Sequence, residues 1–465
     1  MPADRPPSKD INMVHSRGTW GSRSGFILAA AGSAVGLGNI WGFPTQVGQG
    51  GGAAFVLVYL ICVLLICAPI MVAEIALGRR TRLSPSGAFR TLAPNSSWWI
   101  VGALGVATGA GILSFYSVIA GWTVAYVWFT ATSAVSGSVD SIDQFFVSFT
   151  SNGLLNLTLT FSVLGATAVV LLGGVRAGIE RATKALMPAL ILLLLILAVR
   201  ATTLPGADVG LTYYMQPDLT RLLDVGVFNA ALGQAFFSLS LGMGAMITYG
   251  SYLGRREAIG GSTIWIVILD TSIALLAGFI IFPAGFSIEG FDPTTSGPGL
   301  IFTVLPRLFS SLPGGDLFGA AFFLLLSLAA ITSTISLLEV PVSHCVDARH
   351  WSRPKSVLIV TGTVFLLAIP SSLGNGAVAF FSDLPIVGGG FLDLMATIWN
   401  NFSLPIGGLL TAIFVGRVWH VDRALDELQA EGASFPGATF WVFLVKWVCP
   451  AAIGSIIIAT VLGMF

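Results

Sequence analysis

The sequence predicts an all-α membrane protein with eleven transmembrane helices. Of its 465 residues, 55% are hydrophobic and only 9% are charged, whereas soluble domains carry about 25% charged residues. Runs of about twenty apolar residues, each long enough to cross the hydrocarbon core of a bilayer as a helix, recur along the whole chain. A large soluble protein is excluded because so few charged residues could not cover its surface.

The predicted spans follow one another closely, apart from long loops predicted at 133–157 and 287–315. Spans 1 to 11 are predicted at residues 24–48, 53–78, 99–131, 158–175, 183–203, 226–252, 261–286, 316–346, 356–373, 393–416 and 438–464. No separate soluble domain fits between them. We therefore predict a single transmembrane domain, 1–465, made of an N-terminal segment, two groups of five helices and a last helix, at residues 1–23, 24–203, 226–416 and 438–464.

The basic residues predict the orientation of the chain. With a cytoplasmic N-terminus, the loops on that side hold 18 of the 22 lysine and arginine residues. The opposite side holds Arg200, Arg221 and Arg307, and Lys446 lies within the last span. Because cytoplasmic loops are enriched in lysine and arginine, we expect the N-terminus inside and, after eleven crossings, the C-terminus outside.

Two spans contain glycines at positions that a continuous helix should avoid. Residues 29–44, AAAGSAVGLGNIWGFP, interrupt span 1, and residues 233–249, GQAFFSLSLGMGAMITY, interrupt span 6. Each interruption falls in the first helix of a group of five. Paired interruptions at matching positions of two halves indicate a midplane binding site in a secondary transporter.

A broken helix exposes backbone groups that can bind a ligand. The freed amides, at the positive end of the helix dipole, suit a carboxylate, and the freed carbonyls suit Na⁺ or an ammonium group. Glycine lets the backbone turn and lets a ligand approach closely. For either segment alone, the alternative is that its glycines only allow close helix packing.

Five motifs resemble the neurotransmitter:sodium symporter family, and the resemblance covers nearly the whole chain. They are WGSRSGFILAAAGSAVGLGNIWGFP (20–44), AEIALGR (73–79), FYSVIAGW (115–122), GQAFFSLSLGMGAMITYGSY (233–252) and AAITSTISLLE (329–339). The chain looks like the bacterial amino-acid transporters of this family that have eleven spans. The resemblance implies two inverted five-helix repeats with discontinuous helices 1 and 6, no enzymatic activity, and sodium-coupled symport by alternating access.

The resemblance also implies two sodium sites built from oxygen donors. The first would use the Ala34 carbonyl, the Asn39 amide oxygen, the Ser238 hydroxyl, Asp270 and the substrate's carboxylate. The second would use the carbonyls of Gly32, Val35 and Ala329 and the hydroxyls of Thr332 and Ser333. Because Asp270 brings a fixed negative charge to the first site, we expect transport that does not require chloride.

The same resemblance implies a site for a neutral, hydrophobic or aromatic L-amino acid. Its carboxylate would contact the amides of Leu37 and Gly38 and the hydroxyl of Tyr116, and its ammonium the carbonyls near Ala34, Phe237 and Ser238. Gly36 stands where members that carry monoamines have an aspartate. The substrate side chain would lie in an uncharged pocket lined by Ile112, Phe237, Ser240, Met243, Ser333 and Leu337, in which Met243 can repack around large substrates.

Gates are expected on both sides of this site. On the cytoplasmic side, Arg17 and Asp347 match an ion pair of the family, surrounded by Trp20, Ser251 and Tyr252. On the outer side, Gly42 stands where many relatives have a basic residue. Asp393 therefore lacks an obvious partner, and we expect closure by packing of Tyr116 and Phe237.

Glu74 and Glu339 lie within spans and are expected to hydrogen-bond the broken backbone, with proton handling as an alternative role.

The expected location is the bacterial inner membrane, with an amino acid and the lipid bilayer as partners and no nucleic acid. The alternative function is that of a proton-coupled amino-acid transporter of a related fold, which would lack the hydroxyls of Thr332 and Ser333.

Overall fold

The computed structural model describes residues 18–135, 139–287, 291–294, 300–311, 314–385 and 388–462, and this part of the chain is helical, with one isolated bridge between Leu384 and Gly389. The helices that correspond to the predicted spans are α1a (Arg23–Ala34), α1b (Gly38–Gln49), α2 (Ala53–Thr81), α3 (Trp99–Ala131), α4 (Gly153–Leu172), α5 (Val175–Thr202), α6a (Val225–Ser238), α6b (Ala245–Gly250), α7 (Ile259–Phe286), α8 (Gly315–Arg349), α9 (Arg353–Leu373), α10 (Phe391–Val418) and α11 (Ala438–Val461).

The all-helical, multi-span prediction is confirmed. Within the described ranges, nine helices are long and apolar enough to cross a membrane unaided, and α1a with α1b makes a tenth, bent by 52°. α6a is a shorter apolar helix of 14 residues. Length and composition therefore support nine or ten crossings, and an eleventh depends on treating α6a and α6b as one broken span.

The helices extend beyond several predicted span ends. α5 begins at Val175, whereas the apolar run predicted a start at residue 183, and its first turns carry Arg176, Glu180 and Lys184. An apolar run marks only the part of a helix that lies in hydrocarbon, so a charged end is missed. The stretch predicted as a loop at 133–157 contains a helix, Val139–Thr150.

Packing brings the two broken helices to the centre of the molecule. α3 and α8, the two longest helices, run along each other. α1a packs against α5, α7 and α8, and both halves of α6 pack against α2. The breaks in α1 and α6 therefore lie among buried helices, where irregular backbone can be satisfied by protein groups rather than by lipid.

Candidate functional site

Helix α1 is interrupted at Val35 and Gly36, as the glycines predict. Val35 leaves the helical conformation (φ −70°, ψ 116°), and the helix resumes with a π-helical turn, Gly38–Gly42. A Cβ atom on Gly36 would lie 2.5 Å from Ser333 Oγ and 2.6 Å from Tyr116 Oη. Only glycine therefore lets the backbone approach these two hydroxyls.

Helix α6 is interrupted between Ser238 and Ala245. Gly242 and Gly244 have φ values of 80° and 76°, and Ser240 also has a positive φ of 55°. Glycine adopts this region without the Cβ penalty that other residues incur. The freed amide of Gly242 donates to Glu74 Oε1 at 2.8 Å, so the prediction that Glu74 hydrogen-bonds the broken backbone agrees with the structure.

Side chains tie the two breaks to each other. Ser240 Oγ donates to the freed Ser33 carbonyl at 2.8 Å, and Gln234 Nε2 donates to the Gly38 carbonyl at 2.7 Å. The sequence motifs do not point to Gln234. Its only signal is that a glutamine lies one turn before Ser238 in an otherwise apolar helix, where an amide needs a partner.

A buried polar cluster joins α1b, α6a and α7. Asn39 Nδ2 donates to Asp270 Oδ1 at 2.7 Å and to Ser238 Oγ at 2.9 Å, and Ser238 Oγ donates to Asp270 Oδ2 at 2.9 Å. All three residues are at most 1% exposed. In the described part of the chain, no lysine or arginine forms an ion pair with Asp270. The cluster therefore offers hydroxyl and carboxylate oxygens, which suit a cation.

The orientation of Asn39 differs from the expectation. Its Oδ1 accepts from the freed amide of Gly36 at 3.0 Å, while its nitrogen faces Asp270. The physical reason is that a carboxylate accepts but does not donate, so it attracts the amide hydrogens. Tyr59, which the motifs did not indicate, lies beside this cluster, with its hydroxyl 3.4 Å from Ser238 Oγ.

A second, uncharged oxygen cluster lies where α8 faces the end of α1a. Ser333 Oγ donates to the Val35 carbonyl at 3.0 Å and lies 3.3 Å from the Ser33 carbonyl. Thr332 Oγ1 donates to the Ala329 carbonyl at 2.9 Å and lies 3.5 Å from the Val35 carbonyl. Gly32 is adjacent, since a Cβ there would lie 3.4 Å from Thr332 Cβ. The structure thus brings together all five residues predicted for the second sodium.

The chemistry of both clusters fits an alkali cation. Hard cations prefer carboxylate, carbonyl and hydroxyl oxygens, whereas transition metals favour imidazole and thiolate ligands. Within the described ranges, no group of three or more His, Cys, Asp or Glu side chains could hold a metal ion. The donors at the two breaks are instead mostly neutral oxygens.

A small cavity of about 20 Å³, room for about one water molecule, lies between the breaks. Ten of the twelve predicted substrate residues line it. The other two have different neighbours: Leu37 donates its amide to Tyr116 Oη at 2.9 Å, and Ser238 belongs to the Asp270 cluster. The lining side chains carry no charge and are Ser33, Ala34, Gly36, Gly38, Ile112, Tyr116, Phe237, Ser240, Met243, Ser333 and Leu337.

A larger cavity of about 680 Å³ opens on the α1b and α6a side of the site. Tyr116 and Phe237 line both cavities and therefore separate them. Asp393 lines the larger one and accepts from the Gly390 amide at 3.0 Å, capping α10. At Gly42, where many relatives have a basic residue, an added Cβ would lie 3.1 Å from Gln234 Oε1. The Gln234 side chain therefore occupies the space beside this position.

Aromatic rings pack together where the start of α1a meets α6b. Trp20 Nε1 donates to the Tyr249 carbonyl at 3.0 Å, and the Trp20 ring lies 6.1 Å from that of Tyr252. Ser251 is buried beside them and donates to the Thr248 carbonyl at 2.5 Å. Arg17 lies outside the described residues.

Two acids at this end have partners that the sequence did not predict. Asp347 Oδ2 accepts from the Ser84 amide at 2.5 Å. Glu339 was expected to bind the broken backbone, and this expectation is wrong. It accepts from Arg353 Nη1 at 3.0 Å, from Arg353 Nη2 at 2.7 Å and from Tyr252 Oη at 2.6 Å. A full positive charge is a better partner for a buried carboxylate than an amide.

A further buried acid holds the start of α1a. Glu180 Oε2 accepts from the Gly21 amide at 2.6 Å, and Oε1 accepts from Ser22 Oγ at 2.9 Å and from Lys184 at 2.6 Å. The sequence offered no signal for this contact, because Glu180 lies about 160 residues away in the chain and resembled a loop charge.

The family follows from comparison with known proteins. The sequence profile of the sodium:neurotransmitter symporter family matches residues 17–141 and 135–464. The chain belongs to this family. It is accordingly a sodium-dependent, multi-pass membrane transporter and not an enzyme.

Relatives match along almost the whole of this symporter. An uncharacterized sodium-dependent transporter of Bacillus subtilis, YhdH, is 38% identical over 437 residues, covering 93% of this chain and 95% of that protein. The sodium-dependent serotonin transporter of Drosophila melanogaster is 27% identical, covering 96% and 77%. The crystal structure of MhsT in complex with L-phenylalanine superposes with a TM-score of 0.87 at 42% identity, covering 95% of this chain and 99% of that one.

Proposed function

We propose that this transporter couples sodium entry to the import of neutral L-amino acids with hydrophobic or aromatic side chains. The observation that carries the proposal is an uncharged cavity between two broken helices, with oxygen clusters suited to a cation on either side of it. The freed backbone groups supply partners for a carboxylate and an ammonium, and the apolar lining supplies the contacts for the side chain.

The lining of the cavity supports the hydrophobic preference. A charged substrate side chain would be buried without a partner there, which is costly. Because position 36 is a glycine and not an aspartate, no carboxylate stands there to neutralise the ammonium group of a monoamine. Met243 is 3% exposed in the pocket wall, and its flexible thioether can repack around an aromatic ring. The binding of L-phenylalanine by MhsT, whose fold is closely similar, supports the same class of substrate.

We further propose two sodium ions for each substrate site and no requirement for chloride. Asp270 with Ser238, Asn39 and the Ala34 carbonyl forms the first site after the Asn39 amide rotates to present its oxygen. Gly32, Val35, Ala329, Thr332 and Ser333 form the second. The charge of Asp270 takes the role that a bound anion would otherwise have to fill.

The proposed architecture has eleven crossings and two inverted five-helix repeats, residues 24–203 and 226–416, followed by 438–464. The N-terminus is cytoplasmic in the bacterial inner membrane. Trp20, Ser251, Tyr252 and the pair Arg17–Asp347 close the inner side. Tyr116 and Phe237 close the outer side by packing, and Asp393 acts as a helix cap at the mouth rather than as half of an ion pair.

The test is uptake by proteoliposomes under an imposed sodium gradient. We expect labelled phenylalanine, tyrosine or leucine to accumulate, and lysine, glutamate and serotonin not to. Uptake should be equal when gluconate replaces chloride. Accumulation driven by a proton gradient in the absence of sodium would instead support the proton-coupled alternative, and a requirement for chloride would contradict the role given to Asp270.

A further inference from the structure

Two cations lie against one lipid-facing tryptophan where α10 and α11 meet. The Arg417 guanidinium carbon is 5.5 Å from the centre of the Trp447 ring, and Lys446 Nζ is 6.0 Å from it. The Trp447 side chain is 56% exposed. The three groups therefore form one accessible cationic cluster, to which the transport site described above assigns no role.

The charges of both cations are uncompensated among the described residues. In the described part of the chain, no carboxylate forms an ion pair with Arg417 or Lys446. Lys446 lies in a helix that is otherwise apolar enough to span the membrane. A cation at such a position is costly unless it reaches the interface or finds an anion.

The local backbone puts the cluster at headgroup depth. α10 ends at Val418, and its Gly416 packs on the Lys446 backbone, since a Cβ on Gly416 would lie 3.4 Å from Lys446 Cα. Phe440 and Phe443, on the preceding turns of α11, are 56% and 54% exposed. Exposed aromatic side chains at the end of a spanning helix mark the membrane interface.

We propose that Arg417, Lys446 and Trp447 form a binding site for the phosphate of an anionic phospholipid in the leaflet facing the arginine-rich loops. The two cations contact the phosphate oxygens, and the indole lies against the glycerol backbone. Basic pockets between transmembrane helices on the cytoplasmic side recognise lipid headgroups by this chemistry. The site is independent of the transported substrate.

Native mass spectrometry of the delipidated full chain tests this site, with phosphatidylglycerol and phosphatidylcholine added in turn. A cation near anionic lipid contributes a factor of about five in affinity. We expect Arg417→Gln and Lys446→Met each to weaken phosphatidylglycerol binding about fivefold, and the double variant about 25-fold. Binding of phosphatidylcholine should change less than about twofold, because it carries no net charge. Arg423→Gln, which removes a nearby exposed cation outside the cluster, is the matched control and should bind as the wild type does.

Two outcomes would overturn the proposal. One is unchanged binding of phosphatidylglycerol by the double variant. The other is displacement of phosphatidylglycerol from the wild type by an equal concentration of inorganic phosphate, which would indicate a site for free anions.

A second measurement avoids the charge variants. The fluorescence of Trp447 is the difference between the emission of the wild type and that of Trp447→Phe. Dibrominated phosphatidylglycerol should quench this fluorescence, and dibrominated phosphatidylcholine should not. Equal quenching by both lipids would contradict the site.

Discussion

Asp270 places a buried carboxylate at the junction of the two broken helices. Its carboxylate accepts from Asn39 on α1b and from Ser238 on α6a while being fully buried. Hydrogen bonds to an ionised group contribute about 1.5–3 kcal/mol, roughly twice the value for neutral pairs. The charge of this residue, more than its shape, should therefore control the affinity for sodium.

We predict that Asp270→Asn raises the sodium concentration for half-maximal uptake about tenfold, because the amide keeps the shape but loses the charge. The variant should also become stimulated by chloride, whereas we expect the wild type to transport equally with and without it. The measurement is a sodium activation curve in chloride and in gluconate. Thr271→Val is the control, since Thr271 Oγ1 has no hydrogen-bond partner among the described residues; equal curves for Asp270→Asn and wild type would contradict the assignment.

Two threonines on α8 allow a matched test of the second oxygen cluster. Thr332 faces Val35 at the end of α1a, whereas Thr334 faces Thr167 on α4, with 2.8 Å between the two hydroxyl oxygens. We predict that Thr332→Val raises the half-maximal sodium concentration about fivefold, as expected for the loss of one hydrogen-bonding oxygen. Thr334→Val should leave the activation curve unchanged, and a similar shift in both variants would point to helix packing instead.

At the scale of the elements, hydrogen bonds and ring packing hold the start of α1a against α5 and α6b. Glu180 of α5 accepts from the Gly21 amide and from Ser22 Oγ, and Trp20 donates to the Tyr249 carbonyl and packs on Tyr252. We propose that the inner side opens when α1a leaves this position. The free energy of opening should therefore respond to the charge of Glu180.

We predict that Glu180→Gln increases hydrogen exchange of the α1a amides about fivefold, since neutral hydrogen bonds are weaker than charge-assisted ones by about 1 kcal/mol. The measurement is hydrogen–deuterium exchange by mass spectrometry on the peptide that covers Arg23–Ala34. Arg181→Gln, an exposed charge on the next residue of α5, should not change the rate. No difference between Glu180→Gln and the wild type would show that other contacts hold α1a.

At the scale of the whole molecule, a buried ion pair connects segments that are far apart in the chain. Arg79 at the end of α2 donates to Glu427 Oε1 at 2.7 Å, to the Glu427 carbonyl, and to the Glu257 carbonyl at 2.6 Å. Glu427 lies on the helix Val421–Leu428, between α10 and α11, and Glu257 lies between α6b and α7. The pair fixes these segments to α2.

We predict that Arg79→Met lowers the midpoint of thermal unfolding by roughly 3–5 °C, because removing one partner of a buried pair costs about 3–5 kcal/mol. The measurement is tryptophan fluorescence of the detergent-solubilised protein. Arg80→Gln is the control, since Arg80 is half exposed and 3.6 Å from Glu427, so its loss should cost at most about 1 kcal/mol. Arg79→Met/Glu427→Leu should recover part of the loss, and a midpoint that stays at the wild-type value in Arg79→Met would contradict the role of this pair.

The predictions that succeeded from sequence depend on local chemistry. The length of an apolar run sets where a helix crosses hydrocarbon, and α3 was predicted at its observed bounds, Trp99–Ala131. The breaks at Gly36 and Gly242 follow from the missing Cβ atom and its consequence for the backbone. The predicted pocket residues stay predictions for substrate binding, although ten of them line one cavity.

What only the tertiary structure decided is the choice of partner for each buried polar group. Glu339 binds Arg353 and Tyr252 rather than the broken backbone, Gln234 reaches α1b, and Glu180 holds Gly21. The sequence alone established a membrane protein with two interrupted helices, because apolar length and glycine act within a few residues. The partners could not be read from it, since each pair is formed by packing of different helices and several donors compete for every acceptor.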